Sequence, residues 1–135
     1  MSGAAQTPAA TGDTSLRLFA IIAYVLFLLA FTNGVTAIVG VVMAALKRDE
    51  ARGTPYESHF RNMIGTFWLG IAVMVAVLAL AGVGLLGVFA HDGHPPAVLI
   101  AILPAIWLMM VAFAVFYLFR IVRGLTRAID GKAYS

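Results

Sequence analysis

The chain has 135 residues, of which 62% are hydrophobic and only 11% charged, and its mean hydropathy is +0.99. A water-soluble domain carries about 25% charged residues, so this chain has too few charges to clothe a water-facing surface, and lipid is the solvent that removes the problem. It has no cysteine, which excludes disulfide staples and thiolate chemistry. The net charge of +3 does not point to nucleic acid, because the Lys and Arg residues gather at the ends of apolar runs.

Residues 1–14 are rich in Ala, Gly, Ser, Thr and Pro and have no apolar period. They read as a disordered tail ahead of a single helical membrane domain over residues 15–134. Asp13 or Thr14 can accept a bond from the free N–H groups of a first helical turn, which predicts a helix start there. From Leu18 to Leu46 no charged residue appears. As one helix that stretch would run about 43 Å, against about 30 Å of hydrocarbon. Thr32-Asn33-Gly34 lies at its middle. The favoured reading is one long helix over residues 18–46, kinked at Asn33-Gly34. The other is a bent pair of short segments, which makes four segments in all. A cleaved secretory signal is rejected, because cleavage would fall inside a continuing apolar run.

Residues 47–61 form a polar turn. Thr54-Pro55-Tyr56-Glu57 fits a capping box, with Thr54 as N-cap, Pro55 where no N–H is needed, and Glu57 reaching back. Glu57 and Arg61, four apart, predict an interfacial ion pair. A second uncharged span follows over residues 62–90, with Phe67 and Trp68 suited to the interface. Residues 91–96, with Asp-Gly and two prolines, read as a short turn. The third span covers residues 97–119, and Pro104 is expected to kink it. Beyond it Arg120, Arg123 and Arg127 share one helical face and Ile121, Leu125 and Ile129 the opposite one. That predicts a basic amphipathic helix over residues 120–131 lying on anionic lipid headgroups and ending at Asp130-Gly131.

The fold class is therefore an all-α integral membrane protein, with three long transmembrane helices plus a C-terminal amphipathic helix. Four Lys and Arg residues lie in the 47–61 turn, four follow Phe119, and none lies between Ala90 and Ala97. The first two regions should be cytoplasmic and the 91–96 turn external. Three spans then leave the N-terminus external. Arg17 would lie on the unfavoured side, which counts for the bent pair.

Few polar groups remain for chemistry. His59, Asn62 and Thr66 fall on one face of the second helix, with Asn33 and Thr36 as partners if the helices cross there. An unpaired amide in lipid costs several kcal/mol, so Asn62 should face protein. The face reads as a set of buried hydrogen bonds, or as a polar pocket opening to the cytoplasm. Thr36, Gly40 and Ala44 recur every four residues, as do Ala72 and Ala76, and such faces let membrane helices approach closely. Gly82, Gly84 and Gly87 match GxGxxG, but inside an apolar span they read as packing glycines rather than a dinucleotide loop. His91, Asp92 and His94 read as an ordinary polar turn rather than a metal site. Trp107, Met109 and Met110 read as packing. No catalytic set, metal site or cofactor motif is present, no aromatic platform for nucleic acid accompanies the arginines, and no carboxylate is centred in a span.

The segments LKRDEARGTPYESHFRNMIGTFWLG and FRIVRGLTRAIDGKAY resemble a family of small uncharacterised bacterial inner-membrane proteins. That family is distantly similar to the channel-like small subunit of the chloroplast inner-envelope import machinery. The resemblance covers roughly residues 24–134 and is most specific at Ser58-His59-Phe60-Arg61, Thr66-Phe67-Trp68 and residues 120–132. The family tends to be more polar just after Arg61, where this chain has Met63 and Gly65. The resemblance implies a bundle of three to four membrane segments in the bacterial inner (cytoplasmic) membrane, and no established activity. The leading expectation is a non-enzymatic structural or accessory subunit, packing with its own copies or a larger membrane complex. The alternative is a transport or protein-translocation component with a polar cytoplasm-facing pocket.

Overall fold

The computed structural model of the chain describes residues 8–30, 32–90 and 97–134. The regular structure among them is helical: α1 (Pro8–Leu29), α2 (Val35–Lys47), α3 (Tyr56–Ala90) and α4 (Ala97–Ile129). Three of these, in α1 over Gly12–Leu29 and in the whole of α3 and α4, are long and apolar enough to cross a membrane. Their flanks expose Phe89, Leu86 and Ile100 at 74%, 70% and 79%. Water would penalise such a surface and lipid accepts it.

The first apolar stretch is not one kinked helix. It breaks at Thr32-Asn33-Gly34, and α2 folds back antiparallel on α1. A Cβ placed on Gly40 would lie 2.8 Å from the Phe27 ring and 3.3 Å from the Ala23 carbonyl, and the Lys47 ammonium sits 4.7 Å over the Phe19 ring. The turn supplies its own caps. Thr32 Oγ1 donates to the Leu29 carbonyl at 2.7 Å, the Val35 amide donates to Asn33 Oδ1 at 3.2 Å, and Thr36 Oγ1 donates to the Asn33 carbonyl at 2.9 Å. Breaking the helix therefore leaves few orphan groups. With 13 residues, α2 reaches only about 20 Å, less than a full crossing.

The hairpin also moves the start of α1. Arg17 donates to the Ile129 carbonyl, so the first half of α1 lies beside the end of α4. The disordered tail over residues 1–14 is likewise corrected, because residues 8–14 belong to α1. The rest of that tail, and the 91–96 turn with His91, Asp92 and His94, lie outside the described residues.

No separate amphipathic helix forms over residues 120–131, because α4 runs unbroken from Ala97 through Pro104 to Ile129. Ile121, Gly124 and Ala128 are buried, so protein covers much of the apolar face. The helix stops at Gly131 with φ +70. The Lys132 amide bonds to the Arg127 carbonyl at 2.9 Å and the Gly131 amide to the Ala128 carbonyl at 3.2 Å, the two bonds of a Schellman cap.

The chain groups into two compact units, one of residues 1–67 with 118–135 and one of residues 68–117. The first unit has a conventional core, with Tyr24, Phe27, Phe60, Met63 and Ile121 fully buried. In the second, α3 and α4 meet through small residues. A Cβ on Gly84 would lie 2.8 Å from Leu99 Cδ2, and one on Gly70 would lie 3.4 Å from Phe113. The GxGxxG match is thus a packing feature inside a helix.

Candidate functional site

The first unit is joined by a line of polar side chains that runs through four segments. Arg120 of α4 donates through Nε to Asn62 Oδ1. Asn62 Nδ2, in α3, donates to the Tyr24 hydroxyl of α1 at 3.3 Å. That hydroxyl lies 3.0 Å from His59 Nδ1, and His59 Nε2 lies 2.6 Å from the Lys132 carbonyl beyond α4. Tyr24, His59 and Asn62 are 0%, 0% and 4% exposed.

The direction of every bond follows from its ends. A backbone carbonyl only accepts, so His59 Nε2 carries a hydrogen. In the neutral imidazole Nδ1 then accepts, and the Tyr24 hydroxyl donates to it. Tyr24 uses a lone pair for the Asn62 amide, whose oxygen accepts from a guanidinium that can only donate. These assignments come from the network itself, and they agree from both directions. Among the described residues no buried side-chain nitrogen or oxygen lacks a partner. The line begins at a guanidinium that does not deprotonate and ends at a carbonyl, so it holds helices together and passes no proton through.

Local structure places each member. Gly53 turns the chain with φ +76, and Thr54 Oγ1 accepts the Tyr56 amide at 3.3 Å, starting α3 three residues before His59. Glu57 Oε2 accepts the Gly53 amide at 3.1 Å, one residue earlier than the expected capping box. Glu57 is thereby turned away from Arg61, and the anticipated Glu57–Arg61 pair is absent. The ion pairs that form among the described residues are Lys47–Glu50 at 2.7 Å and Asp49–Arg52 at 2.9 Å. Gly124 makes room for Tyr24, since a Cβ there would overlap the phenol oxygen.

The tail after α4 closes over this arrangement. The Tyr134 amide donates to Ser58 Oγ at 2.9 Å, and Arg127 donates to the Ala133 carbonyl at 3.2 Å. The Tyr134 ring meets His59 edge-on at 6.0 Å and carries Arg120 and Arg123 at 5.9 Å and 6.0 Å. Beside the relay a half-open cavity of about 180 Å³ is lined by Ser58, Arg61, Asn62, Arg120 and Tyr134.

The residues singled out from sequence divide clearly. His59 and Asn62 come together in the relay. Thr66 is buried with them, but its hydroxyl donates to its own helix at the Asn62 carbonyl, 2.8 Å away. Asn33 and Thr36 do not join, being spent on the α1–α2 turn. Gly40 and Ala44 are buried, with Gly40 packed against α1 of the same chain, while Ala72 is exposed and Ala76 half-buried. Of the arginines assigned to headgroups, Arg120 turns inward to Asn62, Arg127 holds the tail, and Arg123 is exposed beside Tyr134. Sequence reasoning missed Tyr24, Gly124 and Tyr134. Tyr24 had a signal, as the one polar tip between Leu18 and Phe31. The roles of Gly124 and Tyr134 depend on the pairing of distant segments and had none.

Comparison of the chain with protein-family models, with curated proteins and with solved structures gives no match.

Proposed function

We propose that the chain is a non-enzymatic, multi-pass protein of the bacterial inner (cytoplasmic) membrane, acting as a structural or accessory subunit that packs with its own copies or a larger membrane complex. The observation that supports this best is the saturated relay. Each of its buried side-chain polar atoms has a partner within the protein, so what it supplies is a defined shape in lipid. Arg17, the 47–61 region and the tail after α4 lie together through the Arg17–Ile129, Lys47–Phe19, His59–Lys132 and Ser58–Tyr134 contacts. By the positive-inside rule that cationic end lies in the cytoplasm, and the end of α4 with it. The partner surface is the exposed part of α3 around Ala72 and Val75, since Gly40 is already covered by α1. Photo-crosslinkers at positions 72 and 75 in native membranes are expected to give discrete protein adducts, and adducts to lipid alone would overturn the reading.

A second reading, a transport or translocation component with a polar cytoplasm-facing pocket, is favoured by the half-open cavity and by the resemblance to the import subunit, which is an analogy of fold. It requires water at Ser58 and Tyr134. Because the chain has no cysteine, Ser58→Cys and Tyr134→Cys report cleanly. Labelling from the cytoplasmic side, together with solute flux into reconstituted vesicles above that of empty ones, is the expected result. Flux equal to the empty control sinks it.

A further inference from the structure

The α1–α2 hairpin is shorter than the layer it enters. Its open end is cationic: Arg17 donates to the Ile129 carbonyl, and the Lys47 ammonium sits 4.7 Å over the Phe19 ring. From that end residues 18–29 extend about 18 Å, and the 13 residues of α2 return over about 20 Å. The hydrocarbon layer is about 30 Å thick. With the cationic end at the cytoplasmic boundary, the turn at Thr32-Asn33-Gly34 stops about 10 Å short of the far side.

That turn carries a polar group which lipid cannot satisfy. Asn33 is exposed, and its Oδ1 accepts the Val35 amide at 3.2 Å, which uses one lone pair. Among the described residues nothing accepts from its Nδ2. Thr32 and Thr36, by contrast, donate their hydroxyl hydrogens to the Leu29 and Asn33 carbonyls. A carboxamide with two N–H groups and a lone pair to spare is costly in hydrocarbon. It is also self-complementary, since it can donate to a second Asn33 and accept from it at once. Along α2 from this point, Val35, Ile38 and Val42 recur at i, i+3 and i+7, flanked by Val39 and Leu46, and all are exposed by 48% to 72%. No charge interrupts this stripe, and the helix already holds its β-branched side chains in few rotamers, so docking orders little more.

We propose that the hairpin is re-entrant, entering and leaving on the cytoplasmic side, and that two copies of this chain pair through it. Asn33 bonds to Asn33 across a two-fold axis, with the two α2 stripes in contact beside it. A partner of other sequence has to bring its own carboxamide to this depth, whereas a second copy brings it by symmetry. The pairing rests on the membrane reading above and not on the α3 surface. Adducts to lipid alone at positions 72 and 75 leave it standing, and it can fail while those positions crosslink to protein.

Because the chain has no cysteine, single thiols test the pairing with the full chain in native membranes. Val35→Cys and Ile38→Cys are expected to give disulfide-linked dimers under mild oxidation, and Val25→Cys, exposed on α1, far fewer. Adding Asn33→Ala to Val35→Cys removes the amide pair and should raise the protein-to-lipid ratio for half-dimerisation about tenfold. Asn33 also caps α2, so the unfolding midpoint of Asn33→Ala is measured alongside; whatever that midpoint, Val35→Cys and Ile38→Cys decide the pairing with Asn33 intact. Asn33→Cys should resist an impermeant thiol reagent added outside spheroplasts and react with it once the membrane is dissolved. Yields at 35 and 38 no higher than at 25 would mean chance collision and end the proposal, as would adducts there to other proteins instead of a second copy. A dimer untouched by Asn33→Ala at an unchanged midpoint removes Asn33 as its centre. Labelling of Asn33→Cys from outside would show that the turn reaches external water and overturn the re-entrant hairpin.

Discussion

In the first unit helices meet through a directed line of hydrogen bonds around buried aromatic side chains. In the second, α3 and α4 meet through glycine set against leucine and phenylalanine. The best apolar window of α1 has 28% of its residues buried, and those of α3 and α4 have 6%. The contrast follows from what lipid offers. Lipid competes well for apolar surface, so burying more of it adds little, and helix contact depends on close fit and on polar groups that have no partner outside. The first unit uses both devices, and the glycine contacts of the second use close fit. One is therefore expected to be intolerant of substitution and the other forgiving.

The harshest way to break the comparison is Gly124→Ala. The added Cβ would overlap the Tyr24 hydroxyl oxygen, and the phenol cannot move without leaving His59 and Asn62 orphaned. A loss of about 3 kcal/mol is expected in detergent unfolding. Next comes Tyr24→Phe, which keeps the packing and deletes one hydroxyl. It strands His59 Nδ1 and an Asn62 N–H together, for about 2 kcal/mol. The same bond has a spectroscopic signature, since the imidazole 15N shifts of His59 should report the Nε2–H tautomer, and an Nδ1–H tautomer would contradict the direction of the relay. Gly40→Ala should cost about 1 kcal/mol, because the Phe27 ring at 2.8 Å is fully buried and can yield only slightly. Gly84→Ala has an equally short approach, 2.8 Å, but to the end of the flexible Leu99 side chain. The helix-propensity gain of Ala over Gly offsets the crowding, so the change should stay within about 0.5 kcal/mol of zero. If Gly84→Ala proves as damaging as Gly124→Ala, the division into an intolerant and a forgiving unit fails.

Much of this architecture is legible in the order of residues alone. The uncharged stretches, the charged turn and the Thr54 cap are local facts, and they become α3, α4 and the turn that starts α3. The burial of Asn62 is legible too, since its cost in lipid is a property of the amide. The break at Asn33-Gly34 is visible only as one option of two. Length treats a kink and a reversal alike, and the decision lies in how well Thr32, Asn33 and Thr36 cap the turn and in how Gly40 seats Phe27. Glu57 and Arg61 have the spacing of an ion pair, yet the free Gly53 amide lies closer to the carboxylate.

By itself, then, the sequence determined the solvent, the helical class and the places where most helices begin and end, because these depend on residues near one another in the chain. Only the tertiary structure decided that α1 reverses into α2, that Arg120 faces Asn62 rather than lipid, and that Tyr24 links His59 to Asn62. The reversal chooses between conformations of similar local cost, and the bonds of the relay join side chains 35 or more positions apart. Such choices turn on shape, here the missing side chain of Gly124 that admits the Tyr24 phenol, and one-dimensional pattern carries no measure of it.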